Sequence, residues 1–154
     1  MEESIEKAKE ELKRVDHLFF VSLKYTKTVD VIRSIIARLI NSFEFAIDTS
    51  LLYMVKKKKI EEIPKDPINK AIEAKKLFKK NEQFCEDIDL YFMLRKLNRC
   101  EFDTEREFRK HVTMTAKLDD KRFGIKVDIL EELFERGKDF VEKASELVYG
   151  KKDE

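Results

Sequence analysis

The longest helical pattern in the chain runs through residues 28–59. Apolar side chains recur there at helical spacing and form one broad stripe, and neither Gly nor Pro interrupts it. The members of the stripe are Ile32, Ile35, Ile36, Leu39, Ile40, Phe43, Ile47, Leu51, Met54 and Val55. Because so long an apolar stripe needs cover along its whole length, we expect the other helices to pack around this central helix.

Shorter amphipathic patterns predict four further helices. The first begins at Ser4 as N-cap and ends near residue 25. The third follows the N-cap Asp66, with Pro67 at its first helical position. The fourth covers about residues 84–99, and the last is expected to begin at Asp128 and to end before Gly150 as its C-terminal cap.

Particular residues of these helices carry expectations about burial and packing. In the third helix we expect Ile68 and Ile72 to face the core with Ala71. Gly137 lies inside the last helix, where it costs about 1 kcal/mol relative to Ala, and a close helix crossing would explain it. His17 follows Asp16 on the first helix, next to an apolar run, and we expect a buried, hydrogen-bonded imidazole there; the alternative is a role as a ligand or catalytic group.

The spacing of apolar residues changes from helical to alternating in the last third of the chain. The start signal Asp103-Thr104-Glu105 predicts a short helix over about residues 104–110, and apolar and polar residues then alternate through 112–118 and 123–127. We therefore predict a β-hairpin over residues 112–127. The fold class is mainly α, an antiparallel bundle of four to five helices with this hairpin before the last helix. Residues 1–150 form a single helical domain, and residues 151–154 a frayed tail.

Composition narrows the function classes. Charged residues make up 42% of the chain, with Gly 3 and Pro 2, which favours long helices and few turns. The excess of Lys and Glu is typical of thermophilic proteins, although AT-rich coding would also favour Lys. The net charge is +1 and charges of opposite sign are interspersed, so the protein as a whole is not attracted electrostatically to nucleic acid or to an anionic membrane.

A few residues indicate the cellular compartment and whether a cofactor is expected. Cys85 and Cys100 form no Cys-x-x-Cys pair, so neither a zinc site nor a disulfide framework is indicated, and no cofactor motif is present. The N-terminus is acidic and polar rather than basic and then apolar, which excludes a secretory signal, and charges such as Arg38 exclude a membrane span in the central helix. We expect a cytoplasmic protein without membrane contact.

An apolar run and four consecutive lysines indicate partners. Residues 18–23 are apolar nearly all round a helix, so either several helices or a partner subunit must cover them, and the aromatic excess favours a homodimer. The exit of the central helix carries the lysine run Lys56, Lys57, Lys58 and Lys59, a candidate contact for the RNA backbone. The alternative is a solvated helix end, because acidic residues follow the run closely.

One short motif carries candidate chemistry, running from Arg106 through Glu107-Phe108-Arg109-Lys110 to His111. It resembles the Arg-x(4–6)-His motif of HEPN domains, which are compact helical bundles, commonly dimeric. By that resemblance Arg106 holds the scissile phosphate and His111 acts as acid and base, because metal-free RNA cleavage needs a guanidinium and a group that titrates near neutral pH. Glu107 departs from the polar residue that usually follows the Arg.

Two functions therefore stay open. The leading one is a non-catalytic helical module for dimerisation and interaction, with an RNA or a protein of RNA processing as partner. The alternative is an HEPN-like metal-independent ribonuclease that uses Arg106 and His111.

Overall fold

The computed structural model describes residues 1–22, 29–99, 102–105, 113–118 and 121–150, and for 102–105, 113–118 and 121–127 it describes the backbone alone. Within these residues the fold is mainly helical, as predicted. The helices are α1 (Glu2–His17), α2 (Val29–Lys56), α3 (Pro67–Leu77), α4 (Glu82–Arg99) and α5 (Val127–Tyr149). A π-helical segment, Leu18–Ser22, continues α1.

Helix α2 is the centre of the bundle, as the apolar stripe predicted. It contacts α1, α3, α4 and α5. Phe43 is fully buried in the middle of α2 and stacks on Phe140 of α5, with 4.9 Å between the ring centroids. Phe84 of α4 lies against the same Phe140 ring at 5.3 Å. One aromatic cluster therefore ties three helices together, while Met54 and Val55 at the end of the predicted stripe are only half-buried.

The helix ends follow local sequence signals. Asp66 caps α3, because its side chain accepts a hydrogen bond from the backbone N–H of Asn69 at 3.0 Å, and this bond holds the pKa of Asp66 below its ordinary value. Asn81 caps α4 by accepting from the N–H of Phe84 at 3.1 Å. Gly150 ends α5 with a φ of 80°, which confirms its predicted role as the C-terminal cap.

Gly137 lies where α5 packs closely against α1 and α2. A Cβ atom at this position would lie 3.3 Å from Leu39 Cδ2, 3.7 Å from Leu12 Cδ2 and 3.7 Å from Phe43 Cε2. Leu12 belongs to α1, and Leu39 and Phe43 belong to α2. The missing side chain therefore lets α5 cross both helices closely, which confirms the crossing predicted from the sequence.

Three strands precede α5 and pair antiparallel in the order β1 (Phe102–Glu105), β2 (Thr113–Leu118) and β3 (Lys121–Lys126). The ladder pairs β2 with β3 within the range of the predicted hairpin and also pairs β1 with β2. The short helix predicted from residue 104 is wrong at its start, because pairing with β2 takes precedence over the local helix signal. Its remaining residues, 106–110, lie outside the described residues.

Other helix predictions also need correction. Helix α1 begins at Glu2, so Ser4 lies inside it rather than at its cap, and its α-helical geometry ends at His17. Helix α5 begins at Val127, which places Asp128 in the first turn. Ile68 and Ile72 are 37% and 40% exposed, because α3 packs on the bundle through Ala71 and Ala74 and leaves the two isoleucines on its flank.

Candidate functional site

The residues predicted to carry function from sequence are only partly described. Arg106 and His111 lie outside the described residues. Lys56, Lys57, Lys58 and Lys59 are all exposed at the end of α2, and the Lys57 ammonium lies 5.5 Å from the centroid of the Tyr53 ring. Their exposure is compatible with contact to an anionic partner and equally with a solvated helix end.

The turn that carries these lysines closes α2. The N–H of Lys59 donates to the carbonyl of Met54 at 2.9 Å, and the N–H of Lys58 donates to the carbonyl of Val55 at 3.0 Å. Lys58 has a φ of 61°, the left-handed conformation that usually favours Gly. The lysine run therefore forms the helix cap as well as a basic surface.

A second basic surface lies between α1 and α2, in a groove that the sequence did not indicate. We call it the basic groove; its lining residues are Lys13, Arg14, His17, Leu18, Ser34, Ala37, Arg38 and Asn41. The groove encloses about 510 Å³ and is open to solvent. Three of these side chains are cationic, one is a histidine and none is acidic. The lining therefore favours an anionic ligand.

The carboxylate of Glu11 lies against the two arginines of the basic groove. It is only 6% exposed. Arg14 Nη1 donates to Glu11 Oε1 at 2.8 Å from the same helix, and Arg38 Nη1 of α2 lies 3.4 Å from Oε1 and 3.3 Å from Oε2. A buried carboxylate needs such partners, because an unpaired charge in this position would be costly. One anion thus positions two guanidinium groups from different helices.

The local reason for this arrangement lies in helical periodicity. Glu11 follows Ala8 by three residues and precedes Val15 by four, so it falls on the stripe of α1 that faces the bundle. A lone acidic residue on an apolar stripe is a signal in the sequence, and it could have identified this position. Its arginine partner on α2 could not have been found, because it is distant in sequence.

His17 is exposed and lines the basic groove, so the prediction of a buried imidazole is wrong. The apolar stripe of α1 continues through Val15 and Phe19, and both of these side chains are buried. His17 lies two residues from each, on the other side of the helix. Its position beside Arg14 and Lys13 makes it a candidate contact for an anion.

Two further polar clusters connect helices inside the bundle. Glu44 of α2 accepts hydrogen bonds from the Tyr91 hydroxyl at 2.6 Å and from Arg95 Nη1 at 2.8 Å, both on α4. Burial, together with the bond to Glu44, raises the pKa of Tyr91. Asp87 of α4 is 2% exposed and pairs with Arg136 of α5 at 3.1 Å, and burial raises the pKa of Asp87.

Both clusters border cavities, and the cavity beside Asp87 and Arg136 encloses about 320 Å³. A cavity of about 140 Å³ lies beside Glu44, and it is also lined by Asp48 of α2 and Lys70 of α3, which form an ion pair at 2.9 Å. Each of the carboxylates of Glu44, Asp48 and Asp87 therefore contacts a cation already. The basic groove differs from them because, among the described residues that line or contact it, the cations outnumber the one acidic residue, Glu11.

No group of three or more His, Cys, Asp or Glu side chains in the described part of the chain could hold a metal ion. None of the described helices is both long and apolar enough to cross a membrane.

In comparisons with known proteins, this chain matches no model of a protein family, no curated protein and no solved structure. The HEPN resemblance therefore stays a prediction from the motif of Arg106 and His111.

Proposed function

We propose that this protein is a non-catalytic helical interaction module that binds the phosphate backbone of RNA in the basic groove. The observation that carries the proposal is the convergence of Lys13, Arg14 and Arg38 on one open groove, with the buried carboxylate of Glu11 as counter-charge. The excess positive charge favours an anion, and phosphate oxygens accept the hydrogen bonds that guanidinium groups donate.

The lysine run forms a separate basic surface at the end of α2. Arg38 and Lys56 are separated by about five helical turns, so they lie on the same side of the helix, roughly 27 Å apart. An extended polyanion is a better match for two basic surfaces at this spacing than a small anion is. RNA contact with Lys56, Lys57, Lys58 and Lys59, as predicted from the sequence, forms part of the proposal.

The proposal predicts salt-dependent binding that depends on the groove. We expect a short single-stranded oligoribonucleotide to bind in fluorescence anisotropy with an affinity that falls steeply as salt is raised, because each neutralised phosphate releases counterions. We expect Lys13→Gln to reduce the affinity for RNA. It should also lower the magnitude of the slope of log K against log salt concentration by about 0.7. Lys138→Gln on α5 is the matched control, since it removes the same charge from an exposed lysine outside the groove.

Two results would contradict this assignment. The first is RNA retention that does not change between low and high salt. The second is an equal loss of affinity in Lys13→Gln and Lys138→Gln, because a general effect of net charge would then explain the binding without the groove.

The ribonuclease alternative depends on the HEPN-like motif and is tested with the same RNA. In EDTA, the alternative predicts cleavage by the wild-type protein and a loss of cleavage in Arg106→Ala and in His111→Ala. If the wild-type protein cleaves no faster than the two variants, the catalytic function is rejected and binding alone remains.

Homodimerisation is the second part of the proposed module. Phe20 and Val21 in the π-helical segment are 69% and 44% exposed, and burying such apolar area favours a symmetric dimer. We expect sedimentation equilibrium to show a dimer whose dissociation constant rises in Phe20→Ser. Met93→Ser, at an exposed apolar position of α4, is the control. A protein that stays monomeric at every accessible concentration excludes this part of the proposal.

A further inference from the structure

The contacts of Glu11 carry an inference about how the basic groove selects its ligand. Both Arg14 Nη1 and Arg38 Nη1 contact the same oxygen, Glu11 Oε1, at 2.8 and 3.4 Å. The two nitrogen atoms therefore lie at most about 6 Å apart. A single phosphate group, with several acceptor oxygens, can accept hydrogen bonds from both guanidinium groups at that separation.

The accessible parts of the two arginines lie on the solvent side of this contact. The Arg14 side chain is 55% exposed and the Arg38 side chain 42% exposed, whereas the Glu11 side chain is 7% exposed. Each guanidinium contacts Glu11 through its Nη1 group, and a guanidinium has five N–H donors in a planar fork. Donors beyond the Nη1 contact can therefore bind a ligand in the basic groove while Glu11 keeps its contacts.

Charge balance points to the same ligand. Glu11 with Arg14 and Arg38 carries a net charge of +1, so one arginine would have been enough to neutralise the buried carboxylate. One phosphodiester group, with a charge of −1, balances the three side chains. Lys13 and His17, which also line the groove, can contact neighbouring phosphates.

We infer that Arg14 and Arg38 form a clamp for a single phosphate group, and that Glu11 is a positioning residue that orders the two guanidinium groups before the ligand arrives. The inference rests on the proposed function, because it names the contact through which the basic groove would hold RNA. Ordering the arginines in advance strengthens binding, since long flexible side chains otherwise lose conformational freedom when the ligand binds.

Removing the charge of Glu11 tests whether this residue positions the arginines or acts only through its charge, because the two explanations predict opposite changes in RNA affinity. Glu11→Gln makes the groove more positive, so electrostatics alone predicts tighter binding of an anion. The clamp predicts the opposite, a loss of RNA affinity of about fivefold or more, because two arginine side chains must then be ordered on binding. Glu10→Gln removes the same charge from an exposed position of α1 and should not weaken binding.

The arginines are tested as a pair. Arg14→Gln and Arg38→Gln are each expected to lower RNA affinity about tenfold, the size expected for losing one charge-assisted hydrogen bond. The double variant should lose less than the product of the two single effects, because either substitution breaks the clamp. Thermal unfolding of every variant shows that the protein is folded at the temperature of the binding assay.

A second arm uses inorganic phosphate and follows the arginine Nε–Hε resonances by NMR. Phosphate should shift the resonances of Arg14 and Arg38 in the wild-type protein and shift them less in Glu11→Gln. Phosphate binding without RNA binding supports the clamp and rejects the proposed function. RNA binding that is unchanged or tighter in a folded Glu11→Gln overturns the clamp and leaves the proposed function standing, and binding of neither ligand overturns both.

Discussion

Gly137 offers a direct test of the packing at the centre of the fold. Adding one methyl group at this position brings a Cβ atom to 3.3 Å from Leu39 Cδ2, so Leu39 must shift by a few tenths of an ångström. Ala is better than Gly in a helix by about 1 kcal/mol, which offsets that shift. We expect Gly137→Ala to change the free energy of unfolding by no more than about 1 kcal/mol.

With a larger side chain at residue 137, the gain in helix preference no longer offsets the cost of steric crowding. Gly137→Val adds two further methyl groups to a site where Leu39, Leu12 and Phe43 already surround the Cβ position. Inserting carbon atoms into a packed core costs about 1–3 kcal/mol, and the β-branch adds roughly 0.5 kcal/mol in a helix. We therefore expect Gly137→Val to be about 2 kcal/mol less stable than Gly137→Ala. Equilibrium unfolding in urea, followed by circular dichroism, measures the difference.

Two controls identify the crossing as the cause. Glu131 is an exposed position of α5, so Glu131→Ala and Glu131→Val should differ only by the helix preference of the two residues. Leu39→Ala removes the atoms closest to the new side chain, so combining it with Gly137→Val should recover about 1 kcal/mol or more relative to the sum of the single effects. Equal stability of the Val and Ala variants at Gly137, or strict additivity with Leu39→Ala, would refute the close crossing.

Three further predictions concern the helix cap and the buried polar clusters. Lys58→Gly should stabilise the protein by about 0.5–1 kcal/mol in urea unfolding, because Gly adopts the left-handed conformation without strain, whereas Lys57→Gly should destabilise it. Asp87 has a raised pKa when folded, so its charged form is disfavoured. The unfolding free energy of the wild-type protein relative to Asp87→Asn should therefore fall as the pH rises above 3.8, and a difference that rises with pH would contradict the burial effect. Tyr91→Phe should cost about 2 kcal/mol by leaving Glu44 without one donor. Ultraviolet titration of that variant should also lose one tyrosine that ionises above the ordinary pH range, and an unchanged titration would exclude the raised pKa of Tyr91.

The sequence determined those parts of the fold that depend on neighbours along the chain. The start of α3 at Asp66 and Pro67 could be predicted because a helix cap involves residues three positions apart. The central position of α2 followed from the length of its stripe, and the crossing at Gly137 from the cost of a glycine in a helix. Each of these signals depends only on residues that are close together along the chain, so it can be identified from the sequence alone.

Only the tertiary structure decided which side of each helix is covered and which distant residues meet. The rotation of α3 about its axis exposes Ile68 and Ile72, because its small alanines allow the closer approach to the bundle. The basic groove likewise could not be predicted from local sequence. Arg38 reaches Glu11 because α1 and α2 pack side by side, and helical periodicity alone does not specify how two packed helices are aligned along and around their axes. The helices could therefore be predicted from the sequence, whereas the candidate site required their packing.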